Sequence, residues 1–163
     1  MAAQLRRLED ERAILRTLHA YGHAIDYGDE EAYVDLWAPD GAFDARGRSL
    51  SDVTRVVRGR EALADFAAHF SRPPDGWHKH LLIEPLVDVG GDDARAFSYF
   101  AVLREEEDTP FVWVFGRYCD TLRRCADVRW RFVLRIAEVE SVDTRYGSLA
   151  YVRSPEAPAG VSI

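Results

Sequence analysis

The chain is poor in sulfur, with two cysteines and one methionine among 163 residues. Cys119 and Cys125 lie six apart, outside any CxxC spacing and without an adjacent histidine, which argues against a disulfide framework or a thiolate zinc site. Both are read as reduced packing or surface residues. No apolar run approaches the roughly 20 residues of a membrane span, and Met1-Ala-Ala-Gln-Leu-Arg-Arg-Leu lacks the apolar centre of a secretion signal. The expectation is a cytoplasmic protein with no membrane partner. Positive charge is also scarce: 21 Lys and Arg stand against 28 Asp and Glu, for a net charge of −7. Phosphate binding needs clustered cations, and here the arginines are interspersed with acids, which argues against nucleic acid as a partner. A small polar molecule or another protein remains.

What is present suits one globular domain, because 47% of the residues are hydrophobic and 12% aromatic. Ile14, Leu18, Tyr21 and Ile25 recur at steps of three and four and predict a helix from about Leu5 to Tyr27, ended by Gly28. Asp29 can cap a short second helix carrying Tyr33, Leu36 and Trp37, closed by Pro39-Asp40-Gly41. A third helix follows Gly59, with Leu63, Phe66, Ala67 and Phe70 on one face. The rest reads as strands rich in Val, Phe, Tyr and Trp: His78 to Val89, Ala94 to Arg104, Phe111 to Arg123 and Val128 to Val142, with a shorter strand at Gly41 to Ala45. Arg46 to Arg58 is a polar connection suited to covering a pocket mouth. The domain is drawn over 1–142, and 143–163, with its Ser154-Pro-Glu-Ala-Pro-Ala-Gly160 stretch, as a loose or partner-packed tail. Helices first and a sheet afterwards is an α+β order, with about three helices on the concave face of a curved, mostly antiparallel sheet.

Two residues carry the chemistry. Asp26 sits at the C-terminal end of the first helix, where the helix dipole disfavours a negative charge, so it calls for a partner. Gly22, one turn back, leaves room beside it at a cost of about 1 kcal/mol in helix propensity. His80 opens a strand and shares a face with Leu82, while Pro85 hints at a bulge or edge beyond. An imidazole with a carboxylate on its far nitrogen is a proton-transfer dyad that needs no metal or other cofactor. His78 is read as facing the opposite side, a candidate base only through a local bulge. His19 and His23, four apart, have no companion ligand motif and read as a solvated helix face rather than a metal clip. Trp113, Phe115, Tyr99 and Trp77 are candidate apolar walls for a substrate. Exposed apolar residues on Phe111 to Leu122 would suit a homo-oligomer joined through the sheet.

The order Tyr21-x4-Asp26-x2-Asp29, Pro39-Asp40-Gly41, Gly59-Arg-Glu, His80 and Trp130-Arg-Phe132 resembles the SnoaL-like branch of the NTF2-like superfamily, over roughly Leu5 to Val142. The likeness is to the branch holding scytalone dehydratase, bile-acid dehydratases and hexachlorocyclohexane dehydrochlorinase. It implies a cone-shaped α+β barrel and a cofactor-free lyase, most simply a dehydratase of a cyclic or polyketide-like carbonyl compound. In that resemblance Asp26 is the orienting carboxylate, His80 the base and Tyr21 the group that polarises a carbonyl or assists the leaving group. Arg135 matches an arginine near the departing group. Strand parity sets Arg135 opposite Trp130, Phe132, Leu134 and Ile136, so it enters the pocket only if a bulge intervenes. The strand after His80 offers Ser98 and Tyr99 where scytalone dehydratase has a second histidine, which departs from that enzyme. An isomerase or polyketide cyclase in the same hollow, or a non-catalytic binding or assembly module, stays open.

Overall fold

The computed structural model describes residues 1–47, 55–70 and 72–143. The tail expected from residue 143 onward, past that first residue, and the middle of the 46–58 connection lie outside the described residues. Helix α1 spans Ala2–Tyr27 and buries Ile14, Leu18, Tyr21 and Ile25, the residues its period selects. Gly28 ends it in the left-handed region, at φ 76°, where glycine pays no Cβ penalty. The Asp29 side chain then accepts from the Ala32 N–H at 2.9 Å and starts α2, Glu30–Asp35. Trp37, assigned to that helix from its sequence, is instead the first residue of strand β1, Trp37–Arg46. It pairs with Phe132, and the Pro39-Asp40-Gly41 turn is absorbed as an irregularity between Trp37 and Ala42.

Arg55–Arg58, expected as loop, forms β2 and pairs antiparallel with β1. Helix α3, Arg60–Ala68, buries Leu63, Phe66 and Ala67. Four long strands follow: β3 His78–Gly90, β4 Asp93–Glu106, β5 Thr109–Arg124 and β6 Trp130–Val142. Among the described residues the sheet runs β2-β1-β6-β5-β4-β3, with only β1 and β6 parallel, so β2 and β3 are its edges there and it is not closed into a barrel. The three helices pack their apolar residues against inward residues of the sheet in one core. Among the described residues no helix is long and apolar enough to cross a membrane.

Bulges decide which side chains reach that core. On β6, Thr121 pairs with Leu134 while Leu122 pairs with Phe132, so Val133 is an extra residue and the inward set changes from Phe132 to Arg135 and Ala137. A second extra residue near Glu84 and Pro85 changes the parity of β3 after Ile83, as the proline hinted. At Gly116 an added Cβ would stand 1.9 Å from the Glu138 carbonyl oxygen, so only glycine lets β5 and β6 approach so closely there.

Candidate active site

Asp26 and His80 are brought together. The Asp26 carboxylate is buried at the end of α1, where its Oδ2 accepts the His80 backbone N–H at 2.9 Å and its Oδ1 lies 2.6 Å from His80 Nδ1. A carboxylate oxygen can only accept, so Nδ1 carries the proton, and in the neutral tautomer the lone pair is on Nε2. Gly22 makes this contact possible, because a Cβ there would lie 2.7 Å from the His80 carbonyl oxygen. The close approach of α1 to the β3 backbone is thus the reason for the glycine, rather than free room beside Asp26.

His78 is on the same side as His80, not the opposite one. Residues two apart on a pleated strand return to one face, and no bulge falls between His78 and Ile83. Its Nε2 stands 3.4 Å from Asp26 Oδ1. Burial, then the neighbouring His80, holds the His78 imidazole down to about pKa 4 against the pull of Asp26, so it is neutral at physiological pH.

A cavity of about 270 Å³ opens onto the dyad, walled by Leu18, Tyr21, Leu82, Tyr118 and Arg135, with His19 and His23 from α1 and Lys79 and Leu81 from β3 also lining it. The two α1 histidines are exposed there. Tyr21 is buried, and burial more than offsets Arg135 in pushing its hydroxyl up to about pKa 12. It therefore stays a donor at neutral pH. The bulge at Val133 brings in Arg135, which is fully buried and makes a bidentate pair with Asp120, Nε to Oδ1 at 2.9 Å and Nη2 to Oδ2 at 2.8 Å. Its guanidinium carbon lies 4.1 Å from the Tyr118 ring centre and 4.3 Å from those of Tyr21 and Phe132. Among the described residues, the buried Nη1 has no hydrogen-bond partner. Burial pushes the Asp120 carboxyl up against the lowering pull of Arg135. The bidentate geometry is that of a carboxylate on a guanidinium, a pair with no net charge.

The four aromatic walls read from the sequence are not on the cavity. Tyr99 is 57%, Trp77 50% and Phe115 46% exposed. Tyr99 and Phe115 fall on the outward parity of β4 and β5, and Trp77 precedes β3, with Lys79 Nζ 5.9 Å from its ring centre. Trp113 is the extra residue where Val102 pairs with Val114 and Leu103 with Val112, and it packs under the Arg104 guanidinium instead. Tyr118, Leu18 and Asp120 were missed. Asp120 had a legible signal: it occupies the inward position in the alternation Val114, Gly116, Tyr118, Asp120, Leu122, where an unpaired acid would be costly.

A SnoaL-like domain model matches residues 6–136. The chain belongs to the SnoaL-like family. No curated protein matches it. Among solved structures it is similar to an NTF2-like protein with a cystatin-like fold from Novosphingobium aromaticivorans, 27% identical, covering 88% of this chain and 90% of that one, with a TM-score of 0.74. A Catenulispora acidiphila protein in complex with S-DNPA is 26% identical over 85% of this chain and 95% of that one, at a TM-score of 0.61. A Novosphingobium aromaticivorans protein described as a candidate scytalone dehydratase shares the fold, with a TM-score of 0.69 at 21% identity over 93% of this chain and 97% of that one. This SnoaL-like chain thus has an Asp-His pair at a cavity in a fold that includes dehydratases, isomerases and ring-hydroxylase subunits.

Proposed function

We propose that this SnoaL-like protein is a cofactor-independent lyase, a dehydratase acting on a neutral cyclic or polyketide-like β-hydroxy carbonyl compound. The observation that carries the reading is the 2.6 Å contact between His80 Nδ1 and Asp26 Oδ1 at the cavity, because it leaves Nε2 as a base. Nε2 takes the proton on the carbon next to the carbonyl, and the released electron pair moves onto the carbonyl oxygen. Tyr21 is the donor available to that oxygen, with the buried Arg135 guanidinium behind its ring. The enolate then re-forms its carbonyl, expels the β-hydroxyl and makes a carbon–carbon double bond. The imidazolium returns its proton to the leaving oxygen, so water departs and the base is restored. Asp26 holds the ring and offsets its charge while it is protonated. Because Asp120 neutralises Arg135, the site favours a neutral carbonyl over a carboxylate. The ligand held by the Catenulispora acidiphila relative agrees with a small-molecule pocket in this fold.

The test is a panel of hydroxylated cyclic ketones presented to the wild type, Asp26→Asn and His80→Ala, with product mass and kcat/KM measured. Loss of water in the wild type, falling about 10²- to 10⁴-fold in His80→Ala, is the expected result. Unchanged turnover in both variants removes the mechanism, and a product of unchanged mass makes the protein an isomerase or cyclase.

Self-association through the outer sheet face belongs to the same reading. Cross-strand rows Leu81–Ala101–Phe115 and Ile83–Tyr99, with Leu86 beside Phe97, form a contiguous apolar patch on β3, β4 and β5. A second copy presents the same face and matches it by symmetry.

A further inference from the structure

His78 has no part in the elimination, and packing against the Phe70 and His80 rings does not account for its polar edge. Its side chain is only 7% exposed, and among the described residues its buried Nε2 has no hydrogen-bond partner. A buried polar atom left unpaired costs about 1–3 kcal/mol, which asks for a ligand. The atom points toward Asp26 Oδ1, 3.4 Å away, and that same oxygen lies 2.6 Å from His80 Nδ1. All three ligand atoms fall within 4.8 Å of one another. A first-row ion bound at about 2.0–2.2 Å brings neighbouring ligand atoms to roughly 3–3.5 Å, so side-chain rotations that open the short contact and close the widest separation would let the three share one ion.

We propose that Asp26, His78 and His80 form a three-ligand site for a divalent transition ion of the zinc and cobalt type. His78 and His80 are a His-x-His pair on one strand, which directs both rings to one face. Asp26 reaches them from α1. Two imidazole nitrogens and one carboxylate oxygen suit a borderline ion, whereas calcium and magnesium prefer an all-oxygen shell. Asp26 and His80 also line the cavity, so the remaining coordination positions have room for water or a substrate oxygen. Coordination replaces the proton on His80 Nδ1, which leaves to solvent, and opens the contact with Asp26. A loaded site therefore suppresses the dyad. The site goes beyond the proposed elimination and stands on geometry alone.

The experiment is titration of the chelator-treated, full-length protein with Co²⁺, read by its visible ligand-field bands, with calorimetry of Zn²⁺ for stoichiometry. The wild type is expected to bind one ion per chain. His78→Phe, which keeps ring volume, His78→Gln as a second variant and Asp26→Asn are each expected to weaken binding by at least the roughly 10–100-fold that loss of a supporting group costs. His19→Ala/His23→Ala, which removes the other histidine pair beside the cavity, is expected to bind as the wild type does. Thermal melting without metal confirms that each variant folds. No binding to the wild type, binding that survives both His78 variants, or binding that disappears instead in the His19/His23 variant overturns the site. Binding is read without turnover, so a protein that takes Co²⁺ but dehydrates nothing sinks only the proposed reaction. A dehydratase indifferent to Co²⁺ sinks only this inference.

Discussion

Asp26 engages the backbone N–H and the ring of His80 with its two oxygens, and the His78 ring edge lies 3.4 Å from one of them. Such crowding fixes the imidazole plane before any substrate arrives. Tyr21, on the same helix, adds a donor whose protonation is secured by burial. Its hydroxyl is raised from 10.0 in the open to about 12 when folded. The neutral form is thus the one the fold prefers, and the associated stability is complete below pH 10 and lost as pH rises towards 12. Over that window wild-type stability is expected to fall by about 2–3 kcal/mol more than that of Tyr21→Phe, measured by urea unfolding. Equal alkaline slopes would place Tyr21 in contact with solvent. The Arg135–Asp120 pair gives a second expectation at this scale. Asp120→Leu strands a buried guanidinium and should cost about 3–5 kcal/mol, whereas Asp120→Leu combined with Arg135→Met should recover most of it. A double variant no more stable than the single would show that the pair itself, not the stranded charge, holds this part of the core.

Among the elements, α1 and β3 decide the site, and their contact turns on Gly22. Alanine is the better helix former by about 1 kcal/mol, yet Gly22→Ala is expected to lower the melting temperature and depress kcat together, because the new Cβ meets the His80 carbonyl oxygen at 2.7 Å. A more stable, fully active Gly22→Ala would mean that the helix can back away without harm. Periodicity made α1, α3 and the four long strands readable, since each presents one face to a single core. The Asp26 and His80 pair was readable for a related reason: an acid at a helix end that disfavours it and a histidine on the inward parity both demand a partner. Bulges were less readable. The extra residue at Val133 turns Arg135 inward, and the extra residue at Trp113 removes a supposed wall, but nothing in the local residue types marks either position. Trp37 misled because an aromatic at helical spacing from Tyr33 fits a helix as well as a strand that pairs with Phe132. His78 joins His80 on the inward face because residues two apart on an unbulged strand point the same way.

For the whole molecule, the open sheet divides the aromatic residues into two populations. One set, Tyr21, Tyr118 and Phe132, surrounds Arg135 beside the cavity. The other, Phe97, Tyr99 and Phe115, remains exposed on the outer face. If that face joins two copies, Phe97→Glu/Tyr99→Lys should reduce the mass in solution to that of one chain, by light scattering after size exclusion, while the fold and the cavity persist. A wild type already monomeric at high concentration would assign the patch no such role. The site and this face share strand β3, whose side chains alternate between the two.

Among the described residues β3 has a strand neighbour on one side only, so its other flank presents backbone groups that an unrelated strand could engage. At His80 the Asp26 carboxylate occupies one of these positions, acting for a single residue as the next strand would. The acid thus guards the sheet against unwanted pairing besides orienting the base. Shortening it to alanine would remove both services at once and invite aggregation, which makes asparagine the substitution able to report on chemistry separately from assembly.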